Sequence, residues 1–497
     1  MKQIAIIGGG IAGVSAGYEL ALQQRAGKLI QFVLFEAGSR LGGTVETVRR
    51  DGFVIECGPD SWVTEKPWAR DLAIELGLEK DLVPSQDDRR KTYFAKDQTL
   101  TAMPEGMRMM VPVEWDSVMR SSLFSRQAKL AYQREPELAE HLKESALDAP
   151  GSVRDESVLD FVVRHFGREI ADTIAAPLLA GVFGGEIATL SVRAVLPSFV
   201  ALEREHGSLI LGLQQRRKAG NSTLAIFTTL RHGLAGLTEQ METHISKKNI
   251  QCGVTIGSIE RTAEGWSLRD ASIPEAPHFA AQTFDAILVA TPARTTAKLL
   301  VLHDERIEEL LPQQSSSAVV VALAFSAAQA KTMHIPRGFG FLVPQRRSLP
   351  GQTQCPLDSN LGAIARHALL ACTFVDQKFP HRAPEGAILL RAFFGGPAAT
   401  ALLQLDDDSL IRLAYNALGN ILGKLPEPRI ALVRRWPESL PLYSVGHLER
   451  MAELEVRISK LPHLRLIGNA YRGVGLPDVI HAARTAAREL VAGLAGA

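Results

Sequence analysis

The chain begins with an apolar, β-branched run, Ile4-Ala5-Ile6-Ile7, whose uniform hydrophobicity predicts a buried strand. Gly8-Gly9-Gly10-Ile11-Ala12-Gly13 follows directly, and residues 14–24, with Leu20 and Leu22 among small side chains, predict a helix. A second apolar run, Phe32-Val33-Leu34-Phe35, ends on Glu36. Farther along, Phe53 and Ile55 alternate with polar neighbours before a Gly58-Pro59 turn, the pattern of a strand entering a loop. Residues 158–166 and 170–179 predict helices, 233–237 opens another, and 250–256 with 258–268 predict a hairpin. Residues 284–290 read as a buried strand closed by a Thr291-Pro292 turn, and 319–325 as a second one. Residues 300–445 read as mainly strand with intervening helix. At the end of the chain, residues 464–467, a glycine-spaced turn and a helix from Val479 repeat the opening order of strand, glycine turn and helix.

The first glycine loop carries the clearest chemistry. Gly8 allows a tight turn, Gly10 lets the backbone approach a pyrophosphate, and Gly13 lets the helix pack closely on the strand. The N-terminus of the helix that follows offers unpaired N–H groups and a positive dipole end, which favour phosphate. Glu36 stands where a ribose-binding acid belongs, and an acid there disfavours a 2′-phosphate and so NADP. Flanked by strands and followed by this acid, the loop predicts a dinucleotide site.

Composition narrows the field. A chain of 497 residues can hold two or three domains. Lys and Arg number 55 against 54 Asp and Glu, so no global field draws nucleic acid. The four cysteines (Cys57, Cys252, Cys355 and Cys372) form no CxxC pair, which points to buried thiols rather than a metal site or disulfide framework. The nucleotide strand starts at residue 2, leaving no room for a leader peptide, and the most apolar stretch, 312–330, reads as a strand rather than a membrane span. Residues 103–130 mix Met103, Met110, Trp115 and Phe124 with Arg108, Arg120, Arg126 and Lys129, which suits a membrane surface or a helical cap over a pocket.

Several motifs point to one family. Glu36-Ala37-Gly38-Ser39-Arg40-Leu41-Gly42-Gly43 resembles the extension of FAD enzymes of the amine-oxidase superfamily, where the Arg and the glycine pair lie along the cofactor's phosphate and ribitol region. Gly58-Pro59-Asp60-Ser61, with Lys66-Pro67-Trp68 after it, resembles the GPDSF segment of protoporphyrinogen and coproporphyrinogen oxidases. The same order continues through Pro177-Leu178 and Gly181 to Gly185, with Glu186 where Asp is common. It runs on through Gly338-Phe339-Gly340-Phe341-Leu342, Leu361-Gly362-Ala363-Ile364, Phe379-Pro380-His381-Arg382-Ala383-Pro384 and Phe393-Phe394-Gly395-Gly396. Trp436-Pro437, Gly446-His447 and the closing segment from Leu464 to Asp478 complete it, so the resemblance covers nearly the whole chain.

This resemblance implies an α/β fold class: a Rossmann-type FAD-binding domain, a mixed-sheet substrate domain and an inserted, mostly helical domain. The FAD-binding segments would be 1–86, 222–298 and 446–497, the substrate segments 87–110, 207–221 and 299–445, and the helical, membrane-associated segment 111–206. The cofactor would meet Gly8, Gly10, Ile11, Ala12, Gly13, Glu36, Ala37, Arg40, Gly42 and Gly43. It would also meet Gly58, Pro59, Asp60, Ser61, Val254, Thr291, Trp436, Gly468, Asn469, Gly475, Leu476 and Pro477. FAD should be non-covalent, because no cysteine follows Cys372. Gly181, Leu342, Ile364 and Phe393 would border the substrate. Relatives often carry Arg just before the aromatic that matches Tyr93; Thr92 stands there, so Arg90 or Lys91 would supply the cation for a propionate.

The implied reaction is oxidation of a porphyrinogen to a porphyrin, protoporphyrinogen IX in the first place and coproporphyrinogen III as the alternative, with molecular oxygen as acceptor. The scheme needs no side-chain base, and neither a catalytic residue nor a metal is nominated. Expected partners besides substrate and oxygen are a membrane surface and a second copy of the chain, with a cytoplasmic location, soluble or peripheral to the membrane. A flavin amine oxidase, a carotenoid-type desaturase and a flavin-binding scaffold without turnover are the remaining alternatives.

Overall fold

The computed structural model describes residues 1–96, 98–146, 155–218, 225–271, 283–344, 368–396 and 399–495. A five-stranded parallel sheet is assembled from three distant parts of the chain. Its order is Ile250–Cys252, Ile30–Glu36, Lys2–Ile7, Ala286–Val289, Leu464–Leu466. The central strand is apolar at every inner position because both of its faces are covered. Ile4 and Ile6 enter one core with the helices Ile11–Arg25 and Leu476–Ala495, while Ala5 and Ile7 enter another with Trp266, Met451 and Leu454. The first helix buries every residue from Ala12 to Ala21. Small side chains make that possible, and the one acid among them, Glu19, is matched by Arg484 at 2.8 Å and Arg488 at 3.1 Å.

The hairpin expected at 250–268 is shifted. Ile250–Cys252 joins the parallel sheet beside Leu34–Glu36, and the hairpin is Ile256–Thr262 with Gly265–Asp270. Gly253, at φ +77°, breaks the run between them. The last helix starts at Leu476, earlier than Val479, since Pro477 is tolerated in a first turn where its missing N–H is not needed. Cys57 and Cys372 are buried as expected; Cys252 is exposed, and Cys355 lies outside the described residues.

A seven-stranded mixed sheet has the order Ile430–Pro441, Ser315–Phe325, Ile388–Phe394, Leu369–Phe374, Gly340–Leu342, Thr92–Lys96, Thr99–Ala102. Its strands alternate between two faces. Val319, Val321, Leu323 and Phe325 pack under the helix Asp407–Leu422, whereas Ala322 and Ala324 meet Phe53 and Ile55 of the hairpin Thr47–Arg50/Phe53–Glu56. That second face is the seam with the nucleotide-binding part.

The third part is helical. Arg126–Arg134, Val158–Phe166, Ala176–Phe183 and Pro197–His206 surround a core that takes in Met110, Val111, Val118 and Phe124. Met103, Trp115 and Leu123 pack against it, so most apolar side chains of the 103–130 stretch belong to the helical cap, while Met119 and Leu130 are exposed. Leu209, Ile210 and Leu213, expected with the mixed sheet, also enter this core. Among the described residues no helix is long and apolar enough to cross a membrane.

Inside the helical part lies a sealed charge network. His165 bonds Glu135 through Nδ1 and Glu203 through Nε2, each at 2.9 Å. Glu135 also accepts from Ser208 and the Leu209 N–H, and Glu203 from Arg164. Burial opposes the charge on His165, but its hydrogen bonds to both carboxylates outweigh it and raise its pKa above 6.5. Burial also opposes the charge on Glu203, yet His165 and Arg164 hold its carboxyl below its ordinary range. The contribution of His165 to stability is complete below its ordinary pKa and is lost as pH climbs through the raised value; that of Glu203 is lost only in acid. His165→Gln leaves Glu135 without its cation and Glu203 with Arg164 alone, and is expected to cost about 3–5 kcal/mol at pH values where His165 is charged. In denaturant titrations the gap between wild type and variant should narrow as pH rises through the raised pKa of His165.

Candidate functional site

The carboxyl ends of the five parallel strands lie along one edge of the sheet, the usual ligand position in such a fold. Gly8, at φ +105°, turns the chain so tightly that a Cβ there would lie 2.8 Å from the Ala290 carbonyl oxygen. A Cβ on Gly13 would lie 1.9 Å from the Gly8 oxygen, so the helix rests directly on the turn. A Cβ on Gly10 would meet nothing within 4 Å. The loop is therefore crowded where it supports itself and open where a phosphate would approach. No side chain caps the helix, which leaves its first turn, at Ile11 and Ala12, to an anion. These residues fit the dinucleotide that the sequence implied.

A second loop lies beside the first. Gly42 donates to the Gly9 carbonyl at 2.8 Å, and a Cβ on Gly43 would come within 3.1 Å of Gly10 Cα. Arg40 is turned onto this loop, donating to the Gly43 carbonyl at 2.7 Å and meeting Glu46 at 3.2 Å. Glu46 also takes Arg434 at 2.7 Å, whose hydrogen bonds hold its carboxyl below the ordinary range. Glu36 accepts from the N–H groups of Gly9 and Gly38, each at 2.6 Å, with Ala37 exposed between. Val254 donates to the Glu36 carbonyl at 3.0 Å and so sits at the same end of the sheet.

The turn from Gly58 to Ser61 joins the nucleotide part to the mixed sheet. A Cβ on Gly58 would lie 2.0 Å from the Thr44 oxygen. The Gly58 carbonyl accepts from Arg391 at 2.5 Å, and the neighbouring Cys57 carbonyl from Trp436 Nε1 at 2.7 Å. Asp60 pairs with Lys378 at 3.0 Å and Arg391 at 3.4 Å and accepts from Ser61 Oγ; Pro59 fixes the turn between them. Burial works against the Asp60 charge, but Lys378 and Arg391 outweigh it and hold the carboxyl far below its usual range. Glu56 pairs with Arg382 at 2.6 Å, both sealed from solvent. Lys378 and Arg391 were not singled out by sequence reading, and Arg382 was quoted only as part of a motif. The available signal was an arginine inside the apolar strand Ile388–Phe394, which has to find a buried partner.

The closing turn is braced from both sides. Asn469 donates to the Ser439 carbonyl at 3.1 Å and accepts from Tyr443 at 2.6 Å, after Gly468 at φ +135°. Lys66 grips both oxygens of Asp478, at 2.6 and 2.7 Å, just beyond Gly475, Leu476 and Pro477. Thr291 Oγ1 bonds Thr296 Oγ1 at 2.8 Å beside the first loop's strand end.

Next to these turns, the mixed sheet presents a row of residues in register: Phe94, Leu342, Ala371, Phe393, Val320 and Arg434. The row runs from the helical core, which Phe94 and Leu342 join, to the Arg434–Glu46 pair of the nucleotide part. Leu342 and Phe393 therefore share a wall, with Arg391 Cζ 4.9 Å from the centre of the Phe393 ring. Gly181, on the helix Ala176–Phe183, is exposed, and a Cβ there would meet nothing within 4 Å. Arg90 and Lys91 are exposed ahead of the strand Thr92–Lys96. Strand alternation puts Lys91 with Tyr93 and Ala95, which pack in the other core, away from the Leu342 wall. Ile364 lies outside the described residues.

Comparison with known proteins agrees with this geometry. The flavin containing amine oxidoreductase family matches residues 11–491. A coproporphyrinogen III oxidase of Bacillus subtilis is 30% identical over 98% of this chain and 97% of its own length. The mitochondrial protoporphyrinogen oxidase of Nicotiana tabacum is 24% identical, over 98% and 94%. A crystal structure assigned by name as a protoporphyrinogen oxidase, from Exiguobacterium sp. 255-15, superposes with a TM-score of 0.79 at 29% identity, covering 99% of both chains. The cradle makes the role of the loop glycines testable. Gly10→Val should fold but purify without the yellow flavin absorbance, whereas Gly13→Val, driven into the Gly8 carbonyl, should lose folding as well, read by circular dichroism. The chain belongs to the flavin containing amine oxidoreductases, and its cofactor is FAD.

Proposed function

We propose that this protein oxidises a porphyrinogen to the corresponding porphyrin in tetrapyrrole biosynthesis. The observation that carries the reading is the end-to-end likeness to a coproporphyrinogen III oxidase at 30% identity. The apolar row beside the cofactor turns suits it, since a flat macrocycle needs an apolar wall of this kind. Bound FAD supplies the two-electron acceptor, used three times for the six electrons of the conversion, with oxygen as the final acceptor.

The chain's own residues hold and shield. The loop at Gly8 to Gly13 and Glu36 anchor the nucleotide end, and Arg40 with Gly42 and Gly43 line its continuation. The turns at Gly58 to Ser61 and Gly475 to Pro477 frame the reactive end, with Trp436 tied to the first of them. Leu342 and Phe393 carry the macrocycle, and the helix bearing Gly181 covers it and excludes water. Arg90, exposed ahead of the strand Thr92–Lys96, receives a propionate at the rim. No side chain is required to remove a proton.

Porphyrin fluorescence is the direct test. Purified protein with bound FAD is mixed in air with freshly reduced protoporphyrinogen IX or coproporphyrinogen III, against an enzyme-free control. We expect a rate above autoxidation with at least one, and the faster substrate identifies the reaction. Protein that keeps FAD but matches the control with both, and releases peroxide with an amine instead, would overturn the proposal.

A further inference from the structure

The seam between the nucleotide part and the mixed sheet holds an unbalanced set of buried charges. Two carboxylates, Glu56 and Asp60, face three cations, Lys378, Arg382 and Arg391. Glu56, Arg382 and Arg391 are each at most 2% exposed. Among the described residues nearby, Asp376, pushed up to about 6 by burial, accepts from the Leu389 N–H and has Arg89 as its charged neighbour. The adjoining Glu46 is itself shared by Arg434 and Arg40, the Cys57 thiol is pushed up to about 11 by burial, and His381 is pulled down to about 4 by burial and Arg382. Those last two groups are therefore neutral at pH 7. Among the described residues, the Nε atoms of Arg382 and Arg391 have no acceptor. A surplus positive charge in a sealed site is costly unless a negative charge arrives to meet it.

Arg391 is the member best placed to meet one. It lies in the middle of the sheet, between Thr373 and Ala322, on the face that also carries Phe393. One side of its guanidinium holds the Gly58 carbonyl, and the ring of Phe393 lies 4.9 Å away. It thus touches a cofactor turn and a substrate wall at once. Two-electron reduction of a flavin adds negative charge to its ring system, and a fixed positive charge nearby favours that form. We propose that Arg391 is a positioning residue that locks the Gly58 turn to the wall strand and raises the reduction potential of the bound FAD through its surplus charge. This rests on reading Gly58 to Ser61 as part of the FAD site.

The test is the reduction potential of FAD in the purified holoprotein, by equilibration with reference dyes and without porphyrinogen. Arg391→Gln should lower the potential so that the reduced-to-oxidised ratio at fixed dye potential falls about tenfold, or about 30 mV for a two-electron couple. Arg391→Lys keeps the charge and should recover most of the shift. Asp60→Asn removes an anion and should move the potential the opposite way. An unchanged potential in Arg391→Gln, or an Asp60→Asn shift in the same direction, would overturn the proposal. If Arg391→Gln does not retain FAD, Asp60→Asn decides alone: a rise supports the charge effect and no change refutes it. Because no porphyrinogen is present, these outcomes are separate from the failure of the substrate assignment.

Discussion

The buried ion pairs between the hairpin that ends in Glu56 and the mixed sheet set the geometry on which the rest of the site depends. Glu56 with Arg382, and Asp60 with Lys378 and Arg391, connect residues more than three hundred positions apart. A hydrophobic seam could hold two sheets together while letting them slide. Charges buried without water cannot slide, because any shift strands one of them at a cost of several kcal/mol. The Gly58 turn is therefore fixed relative to Phe393 and Leu342. The strand ends of the parallel sheet and the apolar row of the mixed sheet are thereby held in one arrangement.

The glycine loops answer the same demand at shorter range. Gly13 on Gly8, Gly43 on Gly10 and Gly58 on Thr44 all bring backbone to backbone at distances that a side chain would forbid. Three loops within the first 61 residues are thereby drawn against one another. Because the parallel sheet takes strands from the beginning, middle and end of the chain, neither of the other two parts can be removed as a terminal piece.

What could be read from the sequence was whatever is encoded locally. The first strand, its loop and its helix follow from a run of neighbours, and the uniform apolarity of Ile4 to Ile7 already implies cover on both faces. Ile250–Cys252 reads as one arm of a hairpin because a three-residue edge strand has no periodicity of its own and is defined by its partner Leu34–Glu36. The seam cations escaped for a related reason. Arg391 in an apolar strand announces a buried partner, but only the fold identifies it as Asp60. The apolar–basic mixture at 103–130 was ambiguous until the helical core claimed Met110, Val111 and Phe124. Arg90 and Lys91 illustrate the limit of motif position: both are near the expected place, yet alternation turns Lys91 to the other face.

The allocation of positive charge has a consequence for how an anionic substrate would be held. Along the described wall, Arg434 is committed to Glu46, Arg382 to Glu56, Lys378 to Asp60, and Arg391 to Asp60 and the Gly58 carbonyl. None can turn to a carboxylate without breaking the seam. The interior of the site thus offers an apolar face and a diffuse field rather than a specific ion pair. Under the proposed reading, the macrocycle is recognised by shape at the centre, and its propionates are recognised at the rim, where Arg90 is exposed and uncommitted in strand pairing. Discrimination between substrates with two and four propionates then falls to rim residues, which can vary without disturbing the cofactor loops.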